Sequence, residues 1–329
     1  MADTVLSLQE TSSFFTRLMY FYSSGIPIET ALDEMAANAH NARVRRSVES
    51  AKRSIQSGKS LSAALSLSAL ITPLQAKLIA AAEETGGLDK ALPILAQDAQ
   101  RQHSFNRNLL MRLSYPAVVI ITVIMIVPLH TFFTGGIGGY FRAAVLPFLG
   151  FALLIGAVFL FIRFMSDSGS SRRIARDRLL LRVPILRQFL RFMSWSRFSR
   201  IFAMGYSCGI ALTDTASYAL SGMNNQAIEY QYKGLINSIK KGIPLTDYFN
   251  KNAGDLPFGF LESISTGEKS GTLDKLLYKL AEELEEEASR RLTQFSAFIS
   301  GASFMTAAAY AAYNIITFYL GYLSKLDIN

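Results

Sequence analysis

The sequence predicts an all-α, polytopic membrane protein with two homologous cytoplasmic helical-bundle domains in tandem and three transmembrane helices. Three observations carry that reading. Half of the 329 residues are hydrophobic, and they concentrate in charge-free blocks. The two halves of the chain repeat one another. Between the apolar blocks, hydrophobic positions fall at helical spacing, as in "LDKLLYKLAEEL", with no strand-like alternation.

The elements follow in order. Residues 1–112 are expected to form the first cytoplasmic bundle; Asp3 and Glu10 interrupt the start, which lacks the basic-then-apolar order of a cleavable signal. The lone Cys208 provides no internal disulfide framework. Residues 113–133 are the first expected span, broken only by Pro128 and His130 near its far end. A short periplasmic loop, 134–142, leads to a second span at 143–163. Its "AAVLPFLGFALLIGAVFLFI" is long enough to cross a hydrocarbon core of about 30 Å as a helix. Residues 164–294 hold an arginine-rich segment and the second bundle, 295–323 the third span, and 324–329 a periplasmic tail.

The formal charge of +8 is unevenly placed. Ten arginines, no lysines and only Asp167 and Asp177 lie between Arg163 and Arg200, whereas the loop between the first two spans carries Arg142 alone. Basic residues favour the cytoplasmic side, so the N-terminus and the central region are expected there and the C-terminus outside. Anionic membrane lipid, rather than nucleic acid, is the partner these arginines imply.

The repeat is specific. "FYSSGIPIETA" (Phe21–Ala31) aligns with "GYSCGIALTDT" (Gly205–Thr215), and "SIQSGKSL" (Ser54–Leu61) with "SIKKGIPL" (Ser238–Leu245). One inserted residue later, "AEETGGLDKALPILA" (Ala82–Ala96) meets "GEKSGTLDKLLYKLA" (Gly267–Ala281). That pairing sets Glu83 against Glu268, Gly86 against Gly271, and Asp89 against Asp274. The glycines fall between helical runs, where the chain must reverse. Gly87 and Thr272 stand at N-cap places, and the two aspartates occupy first turns favoured by the helix dipole. Both stretches, Ser270 included, therefore read as helix–turn–helix joints, with a structural or partner-binding role for Glu83 and Glu268. The helix beyond Asp274 is expected to run on into the third span.

Reactive chemistry is missing. "SGKS" (Ser57–Ser60) resembles part of a phosphate loop, but Arg53 stands where the first glycine belongs. Ser303 in "GAS" has no histidine to activate it, and small residues such as Gly301 suit close helix contact instead. His40, His103 and His130 are scattered without metal-ligand spacing, and the residues that could attract a cation or a partner are Glu83 and Glu268, which recur at the same joint. The run "EELEEE" (Glu282–Glu287) reads as a solvated acidic helix face. Asn314, within an apolar run, is expected to seek an interhelical hydrogen bond. No catalytic residue and no cofactor is expected.

The doubled motif "GEKSGTLDKLLYKLA" and "AEETGGLDKALPILA" resembles that of the type II secretion F family over nearly the whole chain. That family comprises inner-membrane platform proteins of type II secretion systems and type IV pili. The resemblance implies a multi-pass protein of the bacterial inner membrane that hydrolyses nothing itself. It implies a homo-oligomer, dimeric or higher, that meets a hexameric ATPase, pilin or pseudopilin transmembrane helices and other inner-membrane assembly components, and, since some family domains hold a cation at an acidic interface, it makes Glu83 and Asp89 the cation candidates. Two departures stand out: Ala82 replaces the first motif glycine, and the chain enters its first bundle without the longer N-terminal extension of many members. Such shortness is compatible with the type IVb pilus branch. The competing readings are a transporter or channel, which the lack of any acid or base at the middle of the spans disfavours, and a scaffold unrelated to filaments.

Overall fold

A computed structural model describes residues 6–39, 41–126, 170–182, 184–223 and 225–326, with isolated positions between 136 and 156. All regular structure among the described residues is helical. Met1–Asn108 and Arg191–Glu286 form one compact unit, so both copies of the repeat contribute to it; Leu109–Leu190 and Glu287–Asn329 form a second.

The first copy supplies α1 (Leu8–Ser23), α2 (Ile28–Ala37), α3 (Ala42–Gln56), α4 (Leu61–Leu67), α5 (Pro73–Thr85) and the long α6 (Leu88–Ile126). After α7 (Ser170–Leu180), the second copy supplies α8 (Pro184–Ser207), α9 (Leu212–Ser221), α10 (Gln226–Gln231), α11 (Gly234–Lys240), α12 (Leu245–Lys251), α13 (Phe260–Ser270) and α14 (Leu273–Leu326). A shift of 184 residues carries α2 onto α9 and α4 onto α12 at both ends. The same shift carries the ends of α3 onto the start of α10 and the end of α11. One residue more carries the start of α6 onto the start of α14.

The turns repeat as closely as the helices. Gly25 and Gly209, Gly58 and Gly242, and Gly86 and Gly271 all have φ between 69° and 86°. Only glycine adopts that region without strain, so each helix stops at the same point in both copies. Starts are fixed by side chains. Ser7 and Glu10 close a reciprocal capping box on α1, and Thr72 and Gln75 close another on α5. Asn41 and Asn225 cap α3 and α10 at the equivalent place.

The copies fill their cores differently. The first is mainly aliphatic around Phe14, Phe15, Leu18, Leu32, Leu65 and Leu78. In the second, Trp195 is fully buried and meets Phe260, Tyr232 and Phe249 edge-on, with ring centroids 4.5, 4.9 and 6.0 Å apart. Edge-to-face contacts of this kind add roughly 0.5–1.5 kcal/mol each beyond area burial. Tyr232 takes the place of Val48, and there the helix matching α3 divides in two. The Tyr232 carbonyl instead accepts from the Tyr248 hydroxyl (3.2 Å) and the Leu235 amide (3.0 Å).

In the second unit, Asp177 on α7 is buried and bonds Arg176 Nη2 at 2.7 Å. Glu287 on α14 pairs with Arg291 one turn on, at 3.0 Å. Among the described residues no helix is long and apolar enough to cross a membrane; most of the second expected span and the far end of the first lie outside those residues, and the third lies within α14 with only part of its side chains described.

The motif glycine that the first copy lacks has a steric explanation. A Cβ on Gly267 would lie 2.8 Å from Leu273 Cα, a backbone atom that cannot step aside, and 2.9 Å from the Cδ1 of its side chain. The first joint holds Ala82 with the same capping bond, Gly87 N–H to the Ala82 carbonyl at 2.8 Å. Gly267→Ala is therefore expected to lower stability by about 1–3 kcal/mol, more than its gain in helix propensity. Thermal unfolding of the purified protein checks this, and an unchanged or higher midpoint would contradict it.

Candidate functional site

The two joints are built alike, and their glutamates do the same work. Glu83, half-buried near the end of α5, reaches back to the start of α4, where Oε1 accepts from Leu61 N–H at 2.6 Å and Oε2 from Ser62 N–H at 3.0 Å. Glu268 does likewise for α12, accepting from Leu245 N–H at 2.7 Å and Thr246 N–H at 2.9 Å. The first amides of a helix have no intrahelical partner and carry its positive dipole end, so a carboxylate is well suited to both. In the first copy Ser60 helps cap α4, whereas Pro244 gives α12 no side-chain cap; there the Thr246 hydroxyl also bonds Glu268.

The remaining joint residues shape the reversal. Gly86 and Gly271 are left-handed C-caps, and the amides of Gly87 and Thr272 bond back to the carbonyls of Ala82 and Gly267. Ser270 Oγ donates to the Thr266 carbonyl (2.8 Å) and lies 2.6 Å from Thr272 Oγ1. Asp89 is exposed and Asp274 partly buried, each in the first turn of its helix. No group of three or more His, Cys, Asp or Glu residues able to hold a metal ion occurs among the described residues. His40 and His130 lie outside them, as does the side chain of Asn314. Gly301 is exposed, and a Cβ there would meet open space.

A second polar constellation, not anticipated from sequence, lies between the copies. Arg200 on α8 is 7% exposed. Its Nη2 donates to Glu285 on α14, and its Nη1 lies 3.9 Å from Asp98 on α6. Gln102 donates to the other Asp98 oxygen at 2.6 Å, and Arg101 pairs with Glu282 nearby. The acidic run is thus only partly a solvated face: Glu283 and Glu286 are exposed, whereas Glu285 and Glu282 turn to arginines. The signal lay in the spacing. Asp98 follows Leu95 by three residues and Glu285 follows Ala281 by four, so both stand on the buried stripe of their helices.

Electrostatics here follow from burial. Removal from water pushes the Asp98 carboxyl above the usual carboxylate range, against the pull of Arg200 and the Gln102 hydrogen bond. Burial also acts against charge on Arg200, but Glu285 and Asp98 together hold its guanidinium above its ordinary value. Arg197, one turn before Arg200, is lowered by burial and by Arg200 itself. Nothing in either constellation pairs a nucleophile with a base, and the arrangement holds helices in register rather than performing a reaction.

Comparison with known proteins agrees with this doubled architecture. The family described as "Type II secretion system (T2SS), protein F" matches residues 14–134 and again 198–321, two segments whose starts the repeat shift relates. The type IV pilus assembly protein PilC of Thermus thermophilus is 26% identical over 318 residues, covering 89% of this chain and 76% of that protein. The type II secretion system protein F of Vibrio cholerae is 25% identical over 308 residues (84% and 73%). The type IV pilus assembly protein TapC of Aeromonas hydrophila is 22% identical over 288 residues (80% and 69%).

The buried cluster predicts an asymmetric response to mutation. A folded-state carboxyl pKa raised above its unfolded value contributes stability that is complete at low pH and lost as pH rises through the folded value. Around Asp98 the groups concerned are Arg200, Arg197, Arg101, Glu285 and Tyr278. Asp98→Asn is expected to remove this slope and to match or exceed the unsubstituted protein at neutral pH. Arg200→Met takes the guanidinium from buried Asp98 and half-buried Glu285 and is expected to cost about 3–5 kcal/mol. Denaturation as a function of pH measures both; a large loss in Asp98→Asn at neutral pH would contradict the assignment.

Proposed function

Because the chain belongs to the type II secretion system protein F family, we infer that it is a non-enzymatic inner-membrane platform for assembling a type IV pilus or a secretion pseudopilus. The observation that carries this reading is the family match to both copies of the repeat. Relatives named for pilus assembly and for type II secretion resemble the chain to similar degrees, so the common platform role is the supported one. The proposed partners are a hexameric cytoplasmic ATPase, which supplies the energy, the apolar helices of pilin or pseudopilin subunits, other inner-membrane assembly components, and further copies of the chain.

In this reading the capped bundles receive the push of the ATPase, and α6 and α14, 39 and 54 residues long, transmit it. Apolar sequence at 113–133, 143–163 and 295–323 crosses the membrane, with the arginine-rich region on the cytoplasmic side. A helix whose first amides are held by Glu83 or Glu268 moves with its neighbour, which suits a part that must carry force.

Deleting the gene in its own host is expected to abolish filaments or secretion, and the wild-type gene to restore them. Glu268→Lys places a cation against the α12 amides and the positive end of the helix dipole. That variant is expected to insert in the membrane yet fail to restore assembly. Normal filaments or secretion without the protein would contradict the platform role.

A further inference from the structure

The cluster between the copies is unevenly filled, and the unevenness points to a movement. Arg200 bonds Glu285 directly, whereas Asp98 Oδ1, 3.9 Å from Nη1, is buried and accepts no hydrogen bond. Arg200 Nε is likewise buried without an acceptor. Closing the Asp98 contact to an ordinary hydrogen bond requires a displacement of about 1 Å. There is room for it. A cavity of about 430 Å³ lies beside the cluster, lined by Asp98, Gln102, Arg197, Arg200, Tyr218 and Glu285. Arg197 shares this cavity and stands on the same face of α8, three residues from Arg200.

We propose that Arg200 is the positioning residue of a two-state latch, exchanging Glu285 of α14 for Asp98 of α6 while Arg197 takes over the vacated Glu285. The exchange involves the same four charged groups and leaves each carboxylate beside a guanidinium, so both arrangements are accessible from the same fold. It differs in which long helix α8 holds. A small shift between two discrete packings is how a push on one element becomes a displacement of another. Arg197 and Arg200 both feel Asp98 and Glu285 electrostatically, as an exchange among four groups needs. The proposal rests on the platform reading for its purpose, but not for its existence.

The full chain in detergent, with Cys208→Ser and spin labels at Arg107→Cys on α6 and Glu283→Cys on α14, gives the distance between the two helices by pulsed electron resonance. Asp98→Asn leaves Glu285 as the only carboxylate for Arg200 and is expected to narrow the distribution about its principal distance. Glu285→Gln leaves only Asp98 and is expected to move that distance by about 2 Å, the scale of a helix shift. Should Glu285→Gln fail to fold, Glu285→Asp, which keeps the charge but withdraws it, is expected to move the distance in the same direction. An unchanged distribution in the folded Glu285 variant overturns the latch whatever happens to filaments. A shifted distance together with normal filament assembly overturns its use in assembly and leaves the platform reading standing.

Discussion

A guanidinium that is almost entirely buried must have its carboxylates, and the two that Arg200 has belong to different copies of the repeat. The cluster adds a polar tie to the apolar packing that already joins the copies, since Met204, Cys208, Ile210 and Tyr278 of the second copy pack against the core of the first and both copies occupy one compact unit. The same requirement ties the cluster to the joints. Gly86 and Gly271 set the residue at which α6 and α14 begin, and so which face of each helix carries Asp98 and Glu285. A slip of one residue at either joint would turn its acid by about 100° and away from Arg200. The glutamates that anchor α4 and α12 secure the same register from the other side of each turn.

Much of the fold was legible in the sequence, because it is written in residues with few structural alternatives. Paired glycines mark positive φ, Ser, Thr and Asn mark helix starts, and the single inserted residue before the second joint falls where the two shifts of the repeat differ. The division of the helix matching α3 was not legible. It follows from a tyrosine replacing a valine in the core, whose carbonyl is then taken by another tyrosine's hydroxyl. Composition alone cannot foresee that exchange.

The site was only half legible. Both motif glutamates were visible as a recurring pair, and left open between a structural and a binding role; their geometry is that of anchors on helix amides. The Asp98–Arg200–Glu285 cluster went unseen because its arginine is 85 residues from one acid and farther from the other. A run of six residues with five acids also looks solvated until the helix face of each is known. Repetition revealed what the copies share, and concealed the contact made where they differ: Arg200 aligns with Thr16 of the first copy.

That contact also separates a tandem pair of bundles from one mechanical body, which is the physical content of the platform reading. Native-state hydrogen exchange on the full chain tests it most directly, since exchange reports which helices open together. Replacing Arg200 with methionine should lower protection over residues 91–106 of α6 together with residues 277–286 of α14, although the substitution lies in the second copy alone. Loss of protection confined to the second copy, with α6 unchanged, would contradict the account.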